Sequence, residues 1–325
     1  MRLFLTLFIG LSLLSCNNSD GKRDTRYLPS SVGNINSIQI IMENDLWNGS
    51  VGETLRKYFA APTDGLPQQE PLFSMNQMAP ANFSDFARSY RGFVYVKIGD
   101  KDTVSLKENS YARPQTGAFV TGTSRESLVQ LIENNHERII ATLKQAELKE
   151  KQRRIKVSTL KLDSLEERLG VSLTISSAYR VALAKDDFYW LRKDLKSGST
   201  NVIIYEVPLN TIGQDSTVIG DIITMRDSIS GDKLPVEEGG RFITEEAFAP
   251  LLFTTEIDGK FAYETKGTWE VKDQWMAGPF VNYAIRDEAN DRYLILEGFT
   301  YAPSVEKRNH QFELEAILKS AKFKK

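Results

Sequence analysis

An acid or base that works at neutral pH is an ionisable side chain held in an unusual environment, so the carboxylates come first. Glu297 shares one face of an alternating segment with Ile295 and Phe299, which places it partly inside. A carboxyl so placed needs a cation or hydrogen-bond donors, and a raised pKa would suit it to general acid catalysis. The same position fits a structural ion pair with Arg286 or Arg292 better, by roughly four to one, because such networks also bury charge. Asp287-Glu288 before Asn290-Asp291 reads as a polar turn and lacks the ligand spacing of a calcium loop. His136 lies on an apolar helical stripe as a core-boundary residue, and His310 opens the last helix near Asn309 at the surface. With 2 histidines in 325 residues, a histidine metal site is not expected. There is no Gly-x-Ser-x-Gly elbow, and Glu237-Glu238-Gly239-Gly240-Arg241 lacks the spacing and ending of a phosphate loop. No cofactor is expected. Trp269, Trp275, Tyr283 and Tyr301 cluster near Phe280; most belong to a core, and any exposed together would form a binding surface.

The most specific chemistry is at the N-terminus. Arg2 precedes an apolar run from Leu3 to Ser15, too short for a membrane span of about 20 residues but suited to a secretory signal. It ends Leu13-Leu14-Ser15-Cys16, which resembles the lipobox of bacterial lipoproteins, where the cysteine takes a diacylglycerol thioether and further fatty acyl chains such as palmitate. Cys16 is the 1 cysteine of the chain, a small residue precedes it, and Asn17 to Gly21 are polar. It is therefore expected to be an anchor, which leaves the mature body without a thiol for catalysis or redox exchange. One acyl chain holds a protein marginally, at about 0.8 kcal/mol per buried methylene, whereas two or three make attachment effectively permanent. The polar residues up to Tyr27 form a tether that reaches roughly 40 Å at about 3.3–3.6 Å per residue.

What would position these groups is an ordinary folded body. The chain is 41% hydrophobic and 10% aromatic, which excludes a mainly disordered protein, and its net charge of −2 gives no reason to expect nucleic acid. Ile35 to Met42 reads as a strand, and Ser50 with Glu53 as the capping box of a helix ending before Pro62. A short helix is expected near Phe83 to Tyr90. Phe93 to Ile98 and Thr103 to Leu106 read as a β-hairpin, followed by a strand from Gly117 to Gly122. Leu128, Ile132, His136, Ile139, Leu143 and Ala146 stripe a long helix from Ser124 to Arg153, capped at Thr123 and Glu126. The charges from Lys149 to Arg154 read as a solvated helix face at a domain junction. Beyond it, Asp163 to Gly170 forms a short helix. Tyr179 to Ala184, Phe188 to Arg192 and Val202 to Val207 form a meander, and Thr217 to Ile229 a helix. Strands at 261–271, 280–286 and 292–301 precede a last helix striped by Leu314, Ile317, Leu318 and Ala321.

The expected fold class is α+β: two antiparallel-sheet lobes with helices packed on one face, preceded by a lipoprotein signal peptide and a short tether. Its divisions are 1–15 signal peptide, 16–30 lipidated cysteine and tether, 31–154 N-terminal lobe and 155–325 C-terminal lobe. Both lobes end on a strand bearing glycine (Gly122, Gly298) followed by an amphipathic helix.

Several stretches carry a family resemblance: Leu46-Trp47-Asn48-Gly49, Ala61-Pro62 through Gln68, Arg113-Pro114-Gln115, Gly267 to Val281, Asp287-Glu288-Ala289 and Glu297 to Pro303. Together they resemble an uncharacterised lipoprotein family of Bacteroidetes-type bacteria, domain of unknown function 4837, over nearly the whole mature chain. The resemblance implies an envelope lipoprotein and no particular activity. Surface-exported lipoproteins of such bacteria carry acidic residues just after the cysteine. Here Asp20 stands alone before Gly21, Lys22 and Arg23, so an outer-membrane anchor facing the periplasm is expected. The partners expected are the lipid bilayer, through acylated Cys16, and another envelope protein or ligand. The leading function is a non-enzymatic binding or envelope-assembly module. The alternative is a carboxylate-dependent hydrolase acting on an envelope glycan or similar substrate, with Glu297 as the candidate acid.

Overall fold

The structure, a computed structural model, describes residues 27–185, 188–236 and 240–324. The expected signal peptide, Cys16 and most of the tether lie outside the described residues, as do residues 237–239.

The first lobe is built on a five-stranded sheet. Its strands are β1 (Ser37–Ile41), β2 (Ser74–Met78), β3 (Gly92–Ile98), β4 (Thr103–Glu108) and β5 (Thr116–Gly122), in the order β2-β1-β3-β5-β4. Pairs β1–β2, β1–β3 and β3–β5 are parallel, and β4–β5 alone is antiparallel, which corrects the expectation of an antiparallel sheet in this lobe. The chain between β1 and β2 contains the helices α1 (Asn44–Trp47) and α2 (Ser50–Phe59), the kind of long crossover that parallel pairing needs. The expected hairpin of β3 and β4 does not form, because β5 inserts between them. Burial explains the order: β5 is almost wholly buried and belongs inside, whereas the polar β4 is largely exposed and suits an edge. Gly49 is the N-cap residue of α2, so Ser50 becomes its first residue and the Ser50–Glu53 box is not made.

The helix α3 (Arg125–Ile155) packs with α2 on one face of this sheet, through Leu55, Phe59, Leu128, Ile132, Ile139 and Leu143. Its cap is Ser124, which accepts from the Ser127 amide, one residue along from the expected box. An aromatic cluster around Phe83 and Phe93 covers the opposite face.

The second lobe is antiparallel, as expected. Its strands are β7 (Arg180–Lys185), β8 (Phe188–Leu195), β9 (Gly198–Pro208), β10 (Phe242–Thr244), β11 (Leu251–Ile257), β12 (Lys260–Val271), β13 (Ala277–Asp287) and β14 (Arg292–Tyr301). The order is β10-β12-β13-β14-β9-β8-β7, with β11 also paired to β12. Helices α4 (Asp163–Leu169) and α6 (Arg308–Leu318) cover one face and α5 (Val218–Lys233) the other. Helices on one face alone would leave a wet surface over strands such as β13 and β14, which are buried along nearly their whole length. A two-stranded ribbon of β6 (Val171–Ser172) and β15 (Lys322–Phe323) completes an α+β fold. Among the described residues no helix is long and apolar enough to cross a membrane.

The lobes share α3: its Leu128 to Leu143 stripe lies in the first core and Ile155 in the second. They also share a cap. Glu70 of the first lobe accepts from the amides of Lys307 (2.7 Å) and Arg308 (2.8 Å) at the start of α6.

Candidate functional site

The carboxylate singled out from the sequence is sealed. Glu297 and Arg226 are both 0% exposed and form a buried ion pair, with the guanidinium donating through Nε at 2.9 and 3.0 Å. Asn282 donates to the same carboxylate, Arg226 also donates to Thr244, and its guanidinium lies over the Phe280 ring at 3.9 Å. The partner is therefore Arg226 of α5, not Arg286 or Arg292. Arg286 instead pairs with Glu288, and Arg292 with Asp287 and Glu206. No substrate reaches Glu297 in this arrangement, so it is not placed as a catalytic acid.

The aromatic residues do not form one surface. Trp269 and Tyr283 are buried in the two different cores on opposite faces of the sheet, and Trp275 is fully exposed. Trp269 and half-buried Tyr301 do meet, with Trp190, Phe242 and Phe299, around a cavity of 190 Å³. His136 is a half-buried boundary residue as expected, its Nδ1 2.7 Å from the Glu133 carbonyl and its ring stacked on Tyr58. Among the described residues no group of three His, Cys, Asp or Glu is placed to hold a metal ion.

A cavity of 250 Å³ with an ionic lining lies where the lobes meet. The loop bearing Asp64 and Leu72 forms one wall, α3 contributes Lys144 and Leu148, β12 contributes Lys266, and α6 with the residue after it contributes Arg308, Glu315 and Lys319. Each is placed by packing. Lys144 sits one residue past buried Leu143 on α3, so the turn of the helix aims it between the lobes. Lys266 lies on the same strand face as Glu264, which it meets at 2.9 Å. Glu315 pairs with Lys319 at 2.7 Å.

Among the described residues, two cations of the lining pair with no carboxylate. The Lys144 ammonium donates at 3.3 Å to the Asn36 side-chain carbonyl and at 3.2 Å to the Leu72 carbonyl, and lies between the rings of Phe73 and Phe312. Arg308 donates to the Pro71 carbonyl, the Ser74 hydroxyl and the Asn309 side chain. Burial pulls the Lys144 pKa down to about 8; Glu315 opposes this, while Arg308 and Lys266 add to it by repulsion. Burial also works to raise the Glu315 pKa, but Lys266 and Lys319 outweigh it and hold the carboxyl below its ordinary value. The lining thus sets four cations and two carboxylates around a void, with Asp64 exposed at its edge and Glu315 held in the charged form.

None of these residues was singled out in the sequence. Lys144 interrupts the apolar run of α3 between Leu143 and Leu148, and Lys266 occupies an inward strand position, but each pattern alone fits an ordinary amphipathic surface. What gives them significance is the meeting of loop, α3, β12 and α6, which are far apart in the chain.

A family model described as domain of unknown function (DUF4837) matches residues 158–320, half of the chain. A second, described as domain of unknown function (DUF8532), matches residues 31–156. The two matches meet just after α3 ends at Ile155. No curated protein matches the chain.

Proposed function

The chain belongs to the DUF4837 family, and from that premise we propose that it is an outer-membrane lipoprotein whose two-lobed body is a non-enzymatic binding module. Acyl chains on Cys16 hold it to the bilayer, the body faces the periplasm, and the ligand sits between the lobes. The single observation that carries the binding role is the 250 Å³ interlobe cavity with its half-buried ionic lining. A stable fold does not need to keep an ammonium beside other cations around a void, and such strained electrostatics collect at sites that do work. The anchor rests on the sequence Leu13-Leu14-Ser15-Cys16 behind a short apolar run. Carboxylate-dependent hydrolysis finds no comparable support. Glu297 is shut in, Glu315 is held ionised, and Glu150, beside a second cavity, is too: burial works to raise it, but Arg153 and Arg154 bring it to about 2. A general acid needs the opposite shift.

The test is one purification with two readouts. Wild-type protein should stay with washed membranes, carry a lipid mass on its N-terminal cysteine, and release a small-molecule adduct in native mass spectrometry when unfolded. Cys16→Ser should leave the membrane for the soluble periplasmic fraction. A membrane-bound Cys16→Ser would refute the anchor, and a wild-type protein that never carries an adduct would refute the binding role.

A further inference from the structure

We propose that the interlobe cavity takes a compact anion, a carboxylate or phosphate group on a small molecule, on the ammonium of Lys144 and the guanidinium of Arg308. This rests on the reading of the cavity as the ligand site. Three observations carry it. Cations outnumber carboxylates in the lining four to two: Lys144, Lys266, Arg308 and Lys319 against Asp64 and Glu315. The imbalance is local as well, since Lys266 and Lys319 are neutralised by Glu264 and Glu315 while the side chains of Lys144 and Arg308 have only neutral acceptors among the described residues. The Lys144 hydrogen bonds, at 3.2 and 3.3 Å, are longer than the roughly 2.7–2.9 Å of good charge-assisted contacts, so its ammonium has capacity for a stronger acceptor. The volume sets the size. At 250 Å³ it lies just under the ~300–1,000 Å³ of drug-sized ligand sites, which suits a small acid or the anionic end of a larger molecule.

The same geometry makes binding dependent on pH. Lys144 faces Glu315 and Arg308 on α6, Lys266 on β12 and Glu147 on its own helix, and in the empty cavity burial brings it to about 8. An anion beside it favours the ammonium and raises that value. Binding near pH 8 to 9 therefore takes up a proton, and affinity falls as pH rises above 8 toward the value in the complex, by up to tenfold per unit.

The experiment is calorimetric titration of the full-length protein in neutral detergent with inorganic phosphate, with succinate, and with uncharged succinamide. The wild type should bind phosphate or succinate and not succinamide, with uptake of a proton at pH 8.5; the preferred anion tells which group the site is shaped for. Lys144→Met should weaken binding more than tenfold without lowering the melting temperature, since it removes a desolvated charge. Lys144→Arg, charged at every working pH, should flatten the fall in affinity between pH 8 and 9. If succinamide binds as well as succinate and Lys144→Met changes nothing, the cavity is a ligand site but the anion is wrong. If neither anion binds at about 10 mM, far above a millimolar dissociation constant, the inference fails as well, and a small-molecule adduct retained from native membranes would show the broader binding reading intact.

Discussion

Arg226 and Glu297 show how differently a buried charge can be used from Lys144. The pair is sealed from solvent: Glu297 takes Arg226 and Asn282, and Arg226 takes Thr244, the faces of Phe242 and Phe280 and, at 3.5 Å, the more exposed carboxylate of Asp227. Such a pair adds little net stability over well-packed apolar side chains, but removing one partner strands the other charge at a cost of about 3–5 kcal/mol. Glu297→Ala should therefore lower the unfolding free energy by about that amount in urea titration. The double change Arg226→Met with Glu297→Leu should recover most of the loss. An equal loss in the double variant would mean that packing, not charge, sets the effect. The burial of Glu297 was legible from its alternation with Ile295 and Phe299. Its partner was not, because Arg226 lies 71 residues away and nothing local marks one of the chain's 41 lysines and arginines as the right one. The aromatic residues failed for a related reason. Trp269 and Tyr283 lie on consecutive strands, but the pleat and pairing of β12 and β13 send them to opposite faces.

At the scale of elements, α6 is the part that two regions of the chain must build together. Its first turn has no side-chain cap of its own, and the exposed amides of Lys307 and Arg308 are met by Glu70 from the other lobe. Glu70 is itself buried, so Glu70→Ala loses two charge-assisted hydrogen bonds and should cost about 2–3 kcal/mol. Hydrogen exchange should speed up first at residues 308–311; unchanged exchange there would show the cap to be incidental. Periodicity made the helix itself legible, along with its stripe of Leu314, Ile317 and Leu318, but not its seat on the sheet. Gly298 leaves the space that the Leu314 side chain occupies, a Cβ there falling 2.8 Å from Leu314 Cβ, and Gly122 does the same for Leu128 of α3 at 2.8 Å. The recurrence of glycine strand then helix in both lobes thus has a common steric cause. The insertion of β5 between β3 and β4 was not legible, because the turn at Gly99 to Asp102 fits a hairpin locally and only relative burial rejects it.

For the whole molecule the question is whether two lobes with separate sheets behave as one body. The charge run at the end of α3, which reads from sequence as a solvated face at a domain junction, lies where the lobes meet with Lys149, Arg153 and Arg154 exposed, but Glu150 is buried there and Lys151 and Gln152 are half-buried. Glu150 is buried under Arg91, Arg153 and Arg154, Gln152 donates to the Ala316 carbonyl, and Lys151 pairs with Glu313 of α6, which also holds Lys193. Composition shows such a run to be charged but not where its counter-charges come from: Glu150 takes them from its own helix and from Arg91, and Lys151 from α6 of the other lobe. With α3 contributing to both cores, neither lobe can lose its packing without exposing apolar surface of the other, which is the condition for a single cooperative transition. Scanning calorimetry should show one peak with equal calorimetric and van't Hoff enthalpies. Glu313→Lys would set a third cation between Lys151 and Lys193, and should split that peak in two by loosening the joint while leaving each sheet intact. Two peaks in the wild type would show that the lobes are independently stable and merely adjacent. In that case an interlobe ligand would have to supply the coupling itself, raising the lower transition by about 2.7 kcal/mol at a hundredfold excess over its dissociation constant and leaving the upper one where it is.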